Sequence, residues 1–328
     1  SNFDTSKVTT MASMFDGCSG LTSIDISNFN TSNVTNMSNM FNNCGRLTSL
    51  DVSNFDTSNV TTMESTFSYC SGLTSLDVSS FNTSNVTTME SMFRFCSKLT
   101  SIDVSNLDTS KVTNMRYLFG DCSELTSLDV SNFDTSKVTN MSYMFGGSYN
   151  YSNLGTGWST SGTPMKLTQI IGLENFNTEN VTNMSSLFTG CTNLQSLNLN
   201  NFNTSNVTDT SRMFNQCRTL TEIDLSNFDT SKVTNMSSMF HYCNNISSLD
   251  ISNFNTQNVT NMESMFRSCE LLTTIYVGDN WDISKVTSSN SMFSFSVKLV
   301  GDITYNSSYT DKTYAKYTGG YLTYKSSN

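Results

Sequence analysis

The chain reads as an α/β stacked-repeat solenoid, with a parallel sheet on one face and short helical or 3₁₀ turns on the other. Two observations predict it. Cys18, Cys44, Cys70, Cys96 and Cys122 fall 26 residues apart, as do Cys191, Cys217, Cys243 and Cys269. A motif travels with each of them, such as Leu47-Thr-Ser-Leu-Asp-Val-Ser-Asn-Phe-Asp-Thr-Ser-Asn-Val60 followed by Met63, Phe67 and Cys70. Self-similarity at a fixed period of 20–50 residues marks units that bury their apolar face only against a neighbouring copy.

Each element follows from the spacing inside one unit. Leu47, Leu50 and Val52 obey LxxLxL, the strand signature of leucine-rich repeats, with Phe55 three residues on. The apolar side chains point inward and leave Thr48, Asp51 and Ser53 outside. Val60, Met63, Phe67 and Cys70 recur at steps of three and four, which predicts one face of a short helix or 3₁₀ turn. Between these halves, Asp56 alternates with Asn30, Asn82 and Asn203. Free exchange of Asp for Asn means that the oxygen acceptor matters and the charge does not, as in an Asx-turn. Asn28, Asn54, Asn106, Asn132 and Asn227 are expected to form a ladder to backbone groups of the next coil.

Phenylalanines from Phe15 to Phe293 count eleven units over residues 1–298, and residues 299–328 read as a closing segment. The step from Val138 to Val181 is 43 residues, one repeat plus 17, so an insertion is placed at 146–164. Eleven coils at ~4.8 Å would span roughly 50 Å. The opening Ser1-Asn-Phe-Asp-Thr-Ser falls in mid-repeat, so an export signal and an N-terminal cap are expected to lie outside it.

A net charge of −10 speaks against a nucleic-acid partner, which needs a basic face. No run approaches the 18 or so apolar residues of a membrane span. The common phase of the cysteines argues for a column of reduced core thiols rather than disulfides or metal ligands. His241 is the only histidine and reads as a surface or edge residue. With no Ser-His-Asp set, HExxH or phosphate-cradling glycine loop, the chain is expected not to be an enzyme, with neither catalytic nor metal-binding residues assigned.

The run LTSLDVSNFDTSNVTNMSSMFxxC resembles the BspA-like leucine-rich-repeat surface proteins of bacteria, in the variant with 25- to 26-residue repeats. Leu299-Val-Gly-Asp-Ile, Tyr314-Ala and Gly319-Gly-Tyr321 resemble that family's closing segment. The resemblance implies a right-handed leucine-rich-repeat-like solenoid, placed at the cell surface or secreted, adhering in some members to host proteins or other cells. It implies no catalytic residues.

Two features stand out as candidate binding elements. Asp25, Asp51, Asp77, Asp103 and Asp129 share one phase on the outer face, and Asp224 and Asp250 return to it. Stacked about 5 Å apart, like charges repel. Three outcomes are open: pairing with the flanking Ser and Thr hydroxyls, an upward-shifted pKa, or a bridging Ca²⁺, the one cofactor weighed. The insertion holds Tyr149, Tyr151 and Trp158, aromatic types that dominate recognition hot spots. The expected function is a binding or adhesion module for a host or microbial surface protein or a glycan, with a structural spacer as the alternative. Threonine columns such as Thr31, Thr57 and Thr83 raise a third, ice binding, which the charged Asp on the sheet face disfavours.

Overall fold

A computed structural model describes residues 3–147 and 164–326, together with the backbone of 149–153 and 158–162. The chain forms two compact units, Ser1–Phe176 and Asn177–Asn328. Each is built from parallel coils, one per repeat. Leu47, Leu50, Val52, Phe55, Val60, Met63, Phe67 and Cys70 of one coil are all buried, at most 8% exposed, while Thr48, Asp51 and Ser53 face solvent.

Register is the same from coil to coil. In the N-terminal unit single-residue parallel bridges run Thr10, Asn36, Thr62, Thr88, Asn114, Asn140; in the C-terminal unit they run Asn183, Asp209, Asn235, Asn261, Ser288. The rings of Phe15, Phe41, Phe67, Phe93, Phe119 and Phe145 stack with centroids 5.4–6.3 Å apart. Phe188, Phe214, Phe240, Phe266 and Phe293 do the same at 5.7–6.0 Å. The thiols repeat one bond from Cys44 to Cys122 and from Cys217 to Cys269: Cys70 Sγ donates to Phe41 O and Cys96 Sγ to Phe67 O, each at 3.2 Å.

The segment predicted as a short helix or 3₁₀ turn is a chain of β-turns instead. Thr66, Ser68 and Cys70 N–H close back on Met63, Ser65 and Phe67 carbonyls, three residues earlier. The intervening N–H groups of Ser65, Phe67 and Tyr69 donate to Glu90, Met92 and Arg94 in the next coil. Every donor is thereby committed, and none is left for the i→i−4 bonds of an α-helix. Ser65 and Tyr69 sit at φ 53° and 56°, the left-handed third position that a type II turn requires. Turns repeating every four residues bury Met63 and Phe67 with the same spacing as a helical face. The described residues hold two 3₁₀ turns, Leu173–Asn175 and Lys312–Tyr314, and neither lies in this segment.

The outer face is also less of a sheet than its spacing suggests. Ladder bonds join β1 (Ser127–Asp129) to β4 (Gln169–Ile171) in parallel. They also join β5 (Ser248–Ile251) to β6 (Thr274–Val277), and β6 to β7 (Leu322–Tyr324), again in parallel. Over residues 48–53 and 74–79 no backbone bond joins neighbouring coils. One reason is that Ser53 N–H is taken by Asp51 of its own coil, and Ser79 N–H by Asp77.

Side chains tie the coils together there. Asn54 Nδ2 donates to Ile26 O and Phe29 O, both at 3.1 Å, and Asn106 Nδ2 donates to Val78 O and Phe81 O. The asparagine ladder therefore runs to the preceding coil rather than the next. Buried threonines point the other way, Thr57 Oγ1 donating to Asn82 O at 2.9 Å. Inside the insertion, β2 (Tyr149–Asn153) and β3 (Trp158–Gly162) pair antiparallel, with Tyr151 opposite Thr160. In the C-terminal unit, Tyr321 packs edge-on against Phe293 at 5.2 Å, and Thr310 O accepts from Phe293 N–H. No described helix is long and apolar enough to cross a membrane.

Candidate functional site

The aspartate column lies where the sequence places it, fully exposed, but its chemistry is local. Asp51 Oδ1 accepts from Ser53 N–H at 3.0 Å and from Ser53 Oγ at 2.6 Å. Asp25 and Asp129 repeat both bonds with Ser27 and Ser131, and Asp77 and Asp103 accept from Ser79 and Ser105 N–H at 2.9 Å. Asp56, in the turn, makes the same pair with Ser58. The expected contrast between outer-face and turn aspartates disappears, because both close Asx-turns. The serine hydroxyl first, and the serine N–H second, hold Asp25, Asp51, Asp77, Asp103 and Asp129 below the usual carboxylate range. Repulsion from Asp103 and Asp51 on Asp77 is a lesser effect of opposite sign. The upward shift weighed above is overturned. Among the described residues no three acidic, histidine or cysteine groups gather closely enough to hold a metal ion.

In the C-terminal unit this face carries a shallow depression of about 320 Å³. Asp224, Ser226, Asp250, Asn253 and Lys325 line it, and Lys325 pairs with Asp250 across it. Tyr149, Tyr151 and Trp158 enter the structure as hairpin backbone only. Their side chains lie outside the described residues.

Two polar readings change on burial. Thr31, Thr57 and Thr83 are 1% exposed, so that threonine column is interior and offers no flat hydroxyl plane for ice. His241 is buried rather than at an edge. Burial first, then Arg267, Arg212 and Arg218, push its pKa down to about 3, so the ring is neutral. The thiols from Cys44 to Cys269 are buried and form no disulfide, and Cys18 is exposed. Burial, with Cys18 next, pushes Cys44 up to about 11.

Spacing alone did not reveal a strip of aromatic and arginine side chains on the turn face of the N-terminal unit. Tyr69 stacks on Phe95 at 4.5 Å, and Tyr117 on Tyr143 at 4.4 Å. Arg94 joins the two pairs, its guanidinium carbon 5.2 Å from the Phe95 centroid and 3.9 Å from that of Tyr117. Asp121 faces Arg94 at 3.7 Å and Glu90 faces Arg116 at 3.2 Å. Burial, then Tyr143, pushes the Tyr117 phenol up to about 12. All four aromatics have φ between 55° and 57°. Other coils fill those two turn positions with Ser13, Asn39, Ser65 and Ser91 or with Gly17 and Asn43, and also with Asp121, Arg212, Gln216, Tyr242 and Phe295. A left-handed bulky residue costs ~1–2 kcal/mol, so the turn itself does not select these rings. The available signal was the departure from Ser, Asn and Gly in that phase.

No curated protein and no solved structure matches the chain. A family model described as "Mycoplasma protein of unknown function, DUF285" matches four overlapping stretches, residues 1–76, 70–170, 162–276 and 221–318. The chain, a tandem-repeat protein over nearly its whole length, belongs to that family.

Proposed function

We propose that this chain is a non-catalytic binding module, displayed at a bacterial cell surface or secreted, that engages a protein or glycan partner through its repeat faces. We further propose that its coils wind as a right-handed leucine-rich-repeat-like solenoid of the BspA-like kind. The buried Leu47, Leu50, Val52 and Phe55 spacing and the parallel pairing of β5, β6 and β7 support that winding. The observation that carries the binding reading is the Tyr69, Phe95, Tyr117 and Tyr143 strip. It spends backbone strain on aromatic side chains, at positions where serine, asparagine or glycine serves the fold elsewhere in the same chain. Tyrosine and arginine are also the types that concentrate binding energy. The hairpin β2–β3, which interrupts the repeat, is a second place for contact. A spacer role draws on a different observation, the unvarying register of coils within each unit.

A glycan-array and host-matrix screen tests the reading, using wild type, a deletion of 147–163, and a Tyr69→Ser/Phe95→Ser double variant. Serine stands at equivalent turn positions elsewhere, so the double variant keeps the fold. A partner bound by wild type and lost in at least one variant supports the module. Absence of any partner, with all variants folded, favours the spacer.

A further inference from the structure

Three of the chain's six arginines act on one histidine. Arg267, Arg212 and Arg218 of the C-terminal unit each bear on His241 from neighbouring coils. The main chain fixes this arrangement, because Gln216 N–H donates to His241 O at 2.7 Å and Tyr242 N–H to Arg267 O at 2.9 Å. Asn215, Gln216, His241 and Arg267 are buried and form the floor. Arg212 and Arg218 are exposed above it. Arg218 lies 5.3 Å from the Tyr242 ring centre and donates to Gln216 Oε1 at 2.6 and 2.9 Å, while Tyr242 stacks on His241 at 4.4 Å.

The N-terminal unit supplies an internal comparison. There Arg94 and Arg116 face Asp121 and Glu90, so their charges are met within the fold. Among the described residues, no carboxylate lies within ion-pair distance of Arg212 or Arg218. Glu263 and Glu270 belong to the coil two steps on and do not reach them. In a chain of net charge −10 these are two exposed positive charges without a carboxylate at ion-pair distance, held on a buried floor.

We propose that the face carrying Arg212, Arg218 and Tyr242 binds an acidic polysaccharide, whose sulfate or carboxylate groups dock on the two exposed guanidiniums. Planar guanidinium forks match such oxyanions two bonds at a time. The half-exposed neighbours of Arg212 are Ser211, Ser237 and Ser238, which offer hydroxyls to a hydrated polymer. They offer no apolar anchor of the kind on which protein interfaces centre. The inference rests on the binding-module reading and names its partner class. The chain as a whole is acidic, so polyanion binding is expected to depend chiefly on this patch.

Binding of immobilised heparin, hyaluronan and poly-glutamate is measured for wild type, Arg212→Ala/Arg218→Ala, and a Lys98→Ala/Lys137→Ala control that removes equal charge elsewhere. Wild type and control are expected to bind at least one polysaccharide equally, weakening as salt rises. The arginine variant is expected to lose at least tenfold in affinity at an unchanged thermal midpoint. No polysaccharide binding by wild type overturns the proposal, as does equal binding by the arginine variant. Poly-glutamate bound as tightly as either polysaccharide overturns it in favour of an acidic protein. A neutral glycan or matrix protein captured in the earlier screen, with no polysaccharide bound here, sinks this inference and leaves the module reading standing.

Discussion

Thr57 is the most informative residue to change, because it is buried in a polar turn and serves the neighbouring coil twice. Its Oγ1 donates to Asn82 O at 2.9 Å and accepts from Asn82 N–H at 2.7 Å. Thr57→Val keeps the shape and removes the buried hydroxyl, leaving the N–H and C=O of the exposed Asn82 without that partner. A typical hydrogen bond contributes ~0.5–1.5 kcal/mol net, and two are lost, so the variant should fall by about 1–3 kcal/mol. Thr57→Ser retains both bonds and loses one buried methyl, worth about 1 kcal/mol. Urea denaturation gives the two differences, and hydrogen exchange at the Asn82 amide locates the loss. Serine should keep Asn82 protected, and valine should expose it. A valine variant within 0.5 kcal/mol or so of wild type, with Asn82 still protected, would refute the idea that threonine hydroxyls hold the coils together.

Four further outcomes follow from the same geometry. The outer-face aspartates titrate lower in the folded chain than in the unfolded one, so their contribution is present above the ordinary carboxylate pKa and lost as pH falls through the folded value; Asp51→Asn should therefore lie slightly below wild type at neutral pH, show a shallower loss on acid titration, and converge with wild type in acid. Calcium at millimolar levels should leave the thermal midpoint unmoved, since each of Asp25, Asp51 and Asp129 already commits an oxygen to its own serine. Thiol titration of the native chain should reach Cys18 and spare the eight buried cysteines until denaturant is added. Gly172→Ala should destabilise by at least ~1–3 kcal/mol, since φ is +93° and a Cβ would meet Ser131 N at 2.4 Å; an unchanged midpoint would count against the close approach of these coils.

The repeat and its core were legible because burial follows period: Leu47, Leu50, Val52, Phe67 and Cys70 recur in one phase and all lie inside. The turn segment was not, because Met63, Phe67 and Cys70 carry the same spacing whether four-residue turns or a helix bury them. Ser65, Asn39 and Gly17 in the left-handed phase held the missing signal. Thr57 misled because a threonine among Asp, Ser and Asn reads as solvated, while its burial depends on a carbonyl in the next coil. His241 misled for a related reason. Its phase holds Ser68, Arg94 and Gly120 in other coils, so composition there says nothing of depth. The aspartate phase was placed correctly, and of the three outcomes weighed for it the structure shows pairing with a flanking hydroxyl, that of the serine two residues on, while the upward pKa shift fails because that same serine favours the charged form.

Everything rests on successive repeats lying in one register, and the phenylalanine column reports that most directly. Nuclear Overhauser contacts from the Phe67 ring, in a chain with selectively protonated phenylalanines, should reach the rings of Phe41 and Phe93, whose centroids lie 5.9 and 6.0 Å away. A Phe67 ring that instead meets phenylalanines of other phases, or none, would contradict the stacked coils and every surface assigned on them.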